Sequence, residues 1–244
     1  MSESTKIISW NVHYPTFAED CEYVVDLLSS EEPDVVCLQE YVSGRDQKVR
    51  EWLSTNNYSF DYFPFAHNIE GTLSQGVMTA AKLSLTPKTD QITLREDGPR
   101  VMRNLKNRRG LLHTTITVAD DEELHINNFH STLPRPWTID MRRREFSELT
   151  RHLEEMRDVS MIAVGDFNFN IFDSRKRKLF NEFDSFTGSF LDKTWQWRGM
   201  KTPIAANLDA AFWDRSRMNV VGRLGRILGY DHKPLFLDVS TKQE

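Results

Sequence analysis

Short apolar, β-rich runs punctuate the chain: KIISW (6–10), DVVCL (34–38), GVMTAA (76–81), LLHTTITV (111–118), LHINNF (124–129), MIAVG (161–165), LDAAFW (208–213) and PLFLDV (234–239). Each has the length of a strand, and a nearly continuous apolar run of that length reads as a strand buried on both faces. Helical periodicity lies between them. Residues 18–30 place Val24, Leu27 and Leu28 on one face and stop before Pro33. Residues 45–54 are a second candidate. Residues 138–157 carry Phe146, Leu149, Leu153 and Met156 as an amphipathic stripe, with Thr138 or Asp140 as the expected cap. A fourth helix is expected over 174–186, where Leu179, Phe180 and Phe183 follow Asp173-Ser174. Turn clusters near Pro64, Gly71, Pro87 and Gly98 read as breaks within one domain spanning 1–244 rather than as boundaries. Many strands and few helices predict an α/β chain whose sheets pack on one another with helices outside.

Composition narrows the function classes. The chain has 244 residues, 39% hydrophobic and 27% charged, which is ordinary for a globular protein. Lys+Arg number 31 against 36 Asp+Glu, giving a net charge of −5 and arguing against nucleic-acid binding by bulk charge. The arginine-rich groups 100–109, 142–144, 175–178 and 215–226 read as solvated faces or, alternatively, as local basic patches. No apolar stretch approaches the ~20 residues of a membrane span, so no membrane insertion is expected. No secretion signal is visible, and the two cysteines, Cys21 and Cys37, are expected to be reduced in a cytoplasmic protein.

The chemistry lies at the ends of the strands. KIISW runs into Asn11, DVVCLQ into Glu40, LHINNF into His130, and MIAVG into Asp166 and Asn168; Asp209 opens LDAAFW's apolar run, and Asp231-His232 precedes PLFLDV. Asp and Asn after a strand are common turn formers. Glu40 is not, yet it closes a very apolar run. If these ends converge, they build a pocket of carboxylates, amides and two imidazoles. Hard oxygen ligands without a Cys/His cluster suit magnesium or manganese, and a carboxylate-oriented histidine suits activation of water. Metal-assisted phosphate-ester hydrolysis is the chemistry these residues support.

Taken in order, ISWNVH, CLQE, NNFHS, VGDFN, LDAAFW and YDHKPL resemble the endonuclease/exonuclease/phosphatase superfamily over roughly residues 6–239. The resemblance implies a four-layer α/β sandwich: two facing mixed β-sheets flanked by helices, with the site at one end. It implies Glu40, Asn11 and Asp231 as metal ligands for Mg2+ or Mn2+. Asp166 and Asn168 are then expected to hold the attacking water and the phosphate, Asp209 to orient His232, and His130 to donate to a phosphate oxygen or to assist the leaving group. The expected partner is a phosphoester, with DNA or RNA as candidates, acted on by a monomer. A phosphomonoesterase for small or inositol-type phosphates is the rival reading, and a non-catalytic binding module of the same fold a further one. The sequence departs from the family pattern at Asn128-Phe129-His130-Ser131, at Asn207-Leu208-Asp209-Ala210, and near Gln75, which stands closest to the place of a carboxylate partner for His130. Trp195 and Trp197 are expected at the rim, as packing or as a stacking surface.

Overall fold

The computed structural model describes residues 4–67, 73–96, 108–118, 121–133, 135, 138–168, 179–187, 192–197, 204–226 and 231–242. All eight apolar runs form strands, and they fall into two six-stranded mixed sheets. The first contains β1 (Thr5–Asn11), β2 (Val35–Ser43), β3 (Tyr58–His67), β4 (Ser74–Lys82), β13 (Met218–Leu224) and β14 (Leu235–Thr241), in the order β13-β14-β1-β2-β4-β3. The second contains β5 (Lys88–Arg95), β6 (Arg109–Thr117), β7 (Glu123–His130), β8 (Met161–Asp166), β9 (Asp184–Thr187) and β12 (Asp209–Trp213), in the order β5-β6-β7-β8-β12-β9. β10 (Trp195–Trp197) and β11 (Ile204–Ala206) form a separate ribbon.

The two sheets share one plan. Each has a single parallel pair at its centre, β1 with β2 and β7 with β8, and every other pairing is antiparallel. Parallel central strands are buried on both faces, and all four are buried along most of their length. Their carboxyl ends point the same way. The antiparallel neighbours β14 and β12 therefore begin at that same end.

Apolar packing sets the layers. Ile7, Val35, Cys37 and Leu237 of the first sheet meet Ile126, Ile162, Val164 and Ala211 of the second. Helices α1 (Tyr14–Glu19), α2 (Glu22–Glu31) and α3 (Gln47–Thr55) cover the outer face of the first sheet through Phe17, Val24, Leu28, Val49 and Leu53. Helix α4 (Ile139–Glu155) covers the second through Phe146, Leu149 and Leu153, so the apolar stripe read from the sequence is its buried face. Truncating any one of these large side chains to alanine costs about 2–5 kcal/mol. The result is the expected four-layer α/β sandwich. Both cysteines are free and buried, and burial pushes the Cys37 thiol up to about 12.

Local expectations failed in four places. The helix over 18–30 is two helices: Pro15 sits in the first turn of α1, and Asp20 turns extended and accepts from the Glu22 N–H at 2.9 Å, restarting the chain as α2. The helix over 174–186 is interrupted. Its residues 174–178 lie outside the described residues, 179–182 are helical, and Asp184–Thr187 is strand β9, paired with β12 from Thr187↔Ala210 to Asp184↔Trp213. Strand pairing along the edge of β12 wins over a weak helical stripe. Pro64 does not mark a turn but lies within β3 at a bulge between Pro64 and Ala66, where its missing N–H is tolerated. Thr138 does precede α4, but its hydroxyl donates to the Leu133 and Arg135 carbonyls instead of capping the helix. Gly71 and Gly98 lie outside the described residues.

Candidate active site

Asn11, His130 and Asp166 are the last residues of β1, β7 and β8, and His130 and Asp166 stand side by side in register. Asp209 opens β12 directly opposite Asp166. Glu40 differs from the expectation, because β2 does not end there. It continues to Ser43 through a bulge at Gln39/Tyr41, and Glu40 is the extra residue, in the left-handed region at φ 56°. A bulge breaks the alternation of side chains and re-aims one of them. Here it turns a carboxylate out of an otherwise buried strand toward the sheet end.

The side chains then meet. Asn11 Nδ2 donates to Asp166 Oδ2 at 3.0 Å and lies 3.4 Å from Glu40 Oε1. Glu40 Oε2 accepts from the Tyr14 N–H at 2.8 Å. The His130 Nε2 atom is 3.6 Å from Asp166 Oδ2 and 3.9 Å from Glu40 Oε1. Asp166 Oδ1 accepts from the Asn168 N–H at 2.8 Å, and Asn168, itself at φ 48°, donates from Nδ2 to the Ser131 carbonyl at 3.2 Å. His232 Nδ1 is hydrogen-bonded to Asp209 Oδ2 at 2.8 Å. Asp231 Oδ1 is 4.0 Å from His232 Nε2, and its Oδ2 accepts from the Trp195 indole N–H at 2.7 Å. These contacts form two groups, Asn11, Glu40, His130, Asp166 and Asn168 in one and Asp209, Asp231 and His232 in the other, which meet where Asp209 stands opposite Asp166 in register.

Burial and charge tune this cluster. Burial and the neighbouring Asp209 carboxylate raise the Asp166 carboxyl to about 7, against the opposing pull of His232, Asn11 and the Asn168 N–H. For His232 burial pulls downward, but the Asp209 charge and hydrogen bond, aided by Asp166 and Asp231, carry it up to about 10. His130 moves the other way, well below its ordinary value, through burial and the nearby Arg109 and His232 cations. Among the described residues, neither of its ring nitrogens has a hydrogen-bond partner. Gln75 therefore does not partner His130. The ring instead lies beside Phe65, 5.8 Å between centroids.

Whether the residues fit a divalent cation can be judged from their own unsatisfied atoms. Asp209 Oδ1 and Asp231 Oδ1 are buried and have no hydrogen-bond partner among the described residues. One ligand atom each from Asp166, Asp209 and His232 lies within 4.8 Å of the others. A cluster of buried carboxylates with free oxygens is costly unless a cation joins it. Carboxylate and amide oxygens of this kind suit a hard ion, magnesium or manganese.

Several supporting residues escaped the sequence reading. Arg142, grouped there with a solvated face, is 2% exposed. Its guanidinium donates to the Thr132 carbonyl, to Ser131 Oγ at 3.1 Å and to the Asn168 carbonyl at 2.9 Å, tying the loop after β7 to the loop after β8. Glu145, three residues on along the same helix, accepts from Arg95 Nε at 2.9 Å and from the Thr132 N–H at 3.0 Å and hydroxyl at 2.6 Å. Charges three apart on an apolar helix face were the available signal. Beneath the site Gln39 Nε2 donates to Asn128 Oδ1 at 2.8 Å, joining the two sheets. Thr194 is buried, and its hydroxyl accepts from the Leu208 and Asp209 N–H groups at 3.0 and 3.2 Å. Trp195 is partly buried, and its N–H holds Asp231. The Trp197 side chain and Arg198 lie outside the described residues.

The comparisons with known proteins agree with this architecture. Residues 8–228 match the Endonuclease/Exonuclease/phosphatase family. No curated protein matches the chain. Among solved structures, the human Nocturnin catalytic domain with bound sulfate anion superimposes with a TM-score of 0.73 at 16% identity, covering 99% of this chain and 96% of that one. ANGEL2, described as a 2′,3′-cyclic phosphatase, gives a TM-score of 0.75 at 12% identity, with 98% and 95% covered. Truncated TDP2 of Caenorhabditis elegans gives 0.72 at 14% identity, with 97% of each chain covered. At such identities these likenesses speak for the fold, whereas the match over residues 8–228 speaks for the lineage: the chain belongs to the endonuclease/exonuclease/phosphatase family.

Proposed function

We propose that this protein is a divalent-metal-dependent phosphoesterase that hydrolyses phosphodiester bonds, with nucleic acid as the candidate substrate. The observation that carries the reading is the convergence, at one end of both sheets, of Asp166, Asp209 and His232, with ligand atoms within 4.8 Å of one another and an Asp209–His232 hydrogen bond at 2.8 Å. A binding module has no need of so many buried, mutually repelling carboxylates beside an oriented imidazole.

In this reading Glu40, Asn11 and Asp231 hold Mg2+ or Mn2+. When bound, such an ion supplies Lewis-acid stabilisation of the charge that builds on the phosphoryl oxygens. Asp209 orients His232 and stabilises its charged form. Asp166, with its carboxyl raised to about 7, sits where a proton can be taken from or returned to water near neutral pH. Asn168 positions that water and the phosphate, neutrally. His130, held uncharged by burial and Arg109, offers its ring N–H to a phosphate oxygen. The protein is read as a cytoplasmic monomer; among the described residues no helix is long and apolar enough to cross a membrane.

The decisive test pairs bis(p-nitrophenyl) phosphate, a short DNA duplex and a short RNA with p-nitrophenyl phosphate and inositol phosphates, each with Mg2+, Mn2+ or chelator. Diester turnover that needs metal, and that falls by several orders of magnitude in Glu40→Gln with partial recovery at high metal, is expected. Turnover confined to the monoesters would transfer the assignment to a phosphomonoesterase, and undiminished turnover in chelator would end the metal-dependent reading.

A further inference from the structure

The site described above is rich in carboxylates, yet its substrate is an anion. The described cations around it are nearly all engaged. Arg95 donates to Glu145 at 2.9 Å, Arg142 is committed to Ser131, Thr132 and Asn168, and His232 to Asp209. Arg108 lies over the Phe63 ring at 4.5 Å and reaches the Pro64 carbonyl at 3.4 Å. Arg109 is the exception. It lies over the Phe65 ring at 4.4 Å, and among the described residues its guanidinium has neither a hydrogen bond nor an ion pair.

The same Phe65 ring contacts His130, so Arg109 stands one aromatic ring away from a site residue. Glu145 is its strongest electrostatic neighbour, followed by Arg95, Glu40 and Asp166. Both Glu145 oxygens are already taken by Arg95 and Thr132, which leaves the Arg109 fork without an acceptor. The position itself is built. Gly110 follows, and a Cβ there would meet the Ile92 carbonyl at 2.2 Å and the Phe63 ring at 2.6 Å. Only glycine lets the aromatic side chains of β3 lie this close over β6. Stacking on Phe65 occupies the face of the guanidinium and leaves its N–H edge open, the edge that matches two oxygens of a phosphate. A partly buried cation without a hydrogen-bond partner is poorly satisfied until an anion arrives.

We propose that Arg109 is an anion-binding residue of this site, its guanidinium fork receiving non-bridging oxygens of the substrate's phosphate group. The proposal rests on the phosphoesterase reading, and the probe is chosen so that the two can fail separately. Inorganic phosphate is titrated into the Mg2+-loaded full chain and followed by the rise in Tm, and in parallel its inhibition of bis(p-nitrophenyl) phosphate turnover is measured. Arg109→Gln is expected to weaken phosphate about 10–100-fold, as loss of a charge-assisted pair does, and to raise KM for the diester more than it lowers kcat. Arg109→Lys keeps the charge but not the fork, and is expected to lose less. Arg108→Gln is the control and should bind phosphate as wild type does.

An Arg109→Gln protein with unchanged Tm and wild-type phosphate affinity would overturn the proposal, as would a wild type that binds no phosphate. Should the glutamine variant not fold, Arg109→Lys decides: affinity equal to wild type rejects the fork. Phosphate binding that depends on Arg109 in a protein without any phosphoester turnover would uphold the anion site and reject the catalytic reading instead.

Discussion

His130 closes β7 and His232 precedes β14, both buried, a few ångströms from the same Asp166 carboxylate. Their surroundings push them apart. His232 has Asp209 on Nδ1 at 2.8 Å and is carried up to about 10. His130 has no hydrogen-bond partner on either nitrogen among the described residues, a phenyl ring at its flank and the Arg109 cation near it, and moves well below its ordinary value. Equal burial thus yields opposite charge states. What decides is a hydrogen bond to a carboxylate: His232 has Asp209 at 2.8 Å, whereas the carboxylate oxygens nearest His130 Nε2 stand 3.6 and 3.9 Å away and do not offset burial and the Arg109 charge. Two identical side chains acquire separate tasks by this means, proton management at His232 and uncharged hydrogen-bond donation at His130.

The most direct way to break the comparison is to replace each ring. His232→Gln should lower kcat by about 10⁴-fold, the upper range for a general acid or base, whereas His130→Gln should cost about 10²-fold, as removal of one hydrogen-bond donor to a developing oxyanion does. Equal losses at saturating metal would show that the two histidines share one role. Next in size is the frame behind His130. Glu145→Ala leaves Arg95 buried without its carboxylate and should destabilise by about 3–5 kcal/mol in denaturant unfolding. A change below about 1 kcal/mol would mean that this pair does not hold the His130 loop.

On the His232 side, Trp195→Phe removes only the N–H that holds Asp231. Loss of a hydrogen bond to a charged group predicts about a tenfold fall in kcat/KM with unchanged Tm, and unaltered kinetics would leave Trp195 as packing alone. The pH dependence of stability in the chelated protein sharpens the comparison further. A folded value raised to about 10 means that His232 contributes stability fully below about pH 6.5, lost as pH rises through 10. His130, lowered, does the reverse: it costs stability below about pH 6.5 and the cost vanishes above it. The Asp166 carboxyl, raised to about 7, makes folding less favourable as pH climbs from about 4 to 7. Urea unfolding from pH 4 to 10 checks this. His232→Gln should flatten the alkaline loss and His130→Gln the acid one; identical profiles in the two variants would contradict the assigned charge states.

Much of the molecule was legible beforehand because its signals are local or one-dimensional. Continuous apolar runs marked the buried central strands. The polar residues that follow them marked the sheet end, since parallel central strands deliver their carboxyl ends to one side. The exposed strands β5 and β13, and β3 with its proline, escaped because an edge or half-solvated strand needs no distinctive run. The strand β9 escaped for a different reason, as its pairing with β12 is a long-range event that overrides a local helical stripe.

By itself the sequence determined the layer architecture, the family and the eight polar residues at the strand ends, because hydrophobic period and residue type are written along the chain. Tertiary structure alone decided how those residues differ from one another. A bulge aims Glu40, helix α4 spends Arg142 and Glu145 on the two loops carrying Asn168 and His130, Trp195 reaches Asp231, and Arg109 stacks on Phe65 without an acceptor among the described residues. Charge state and orientation depend on which groups arrive within a few ångströms from distant parts of the chain. Electrostatic energy at that range is set by separation and burial, neither of which spacing along a sequence specifies.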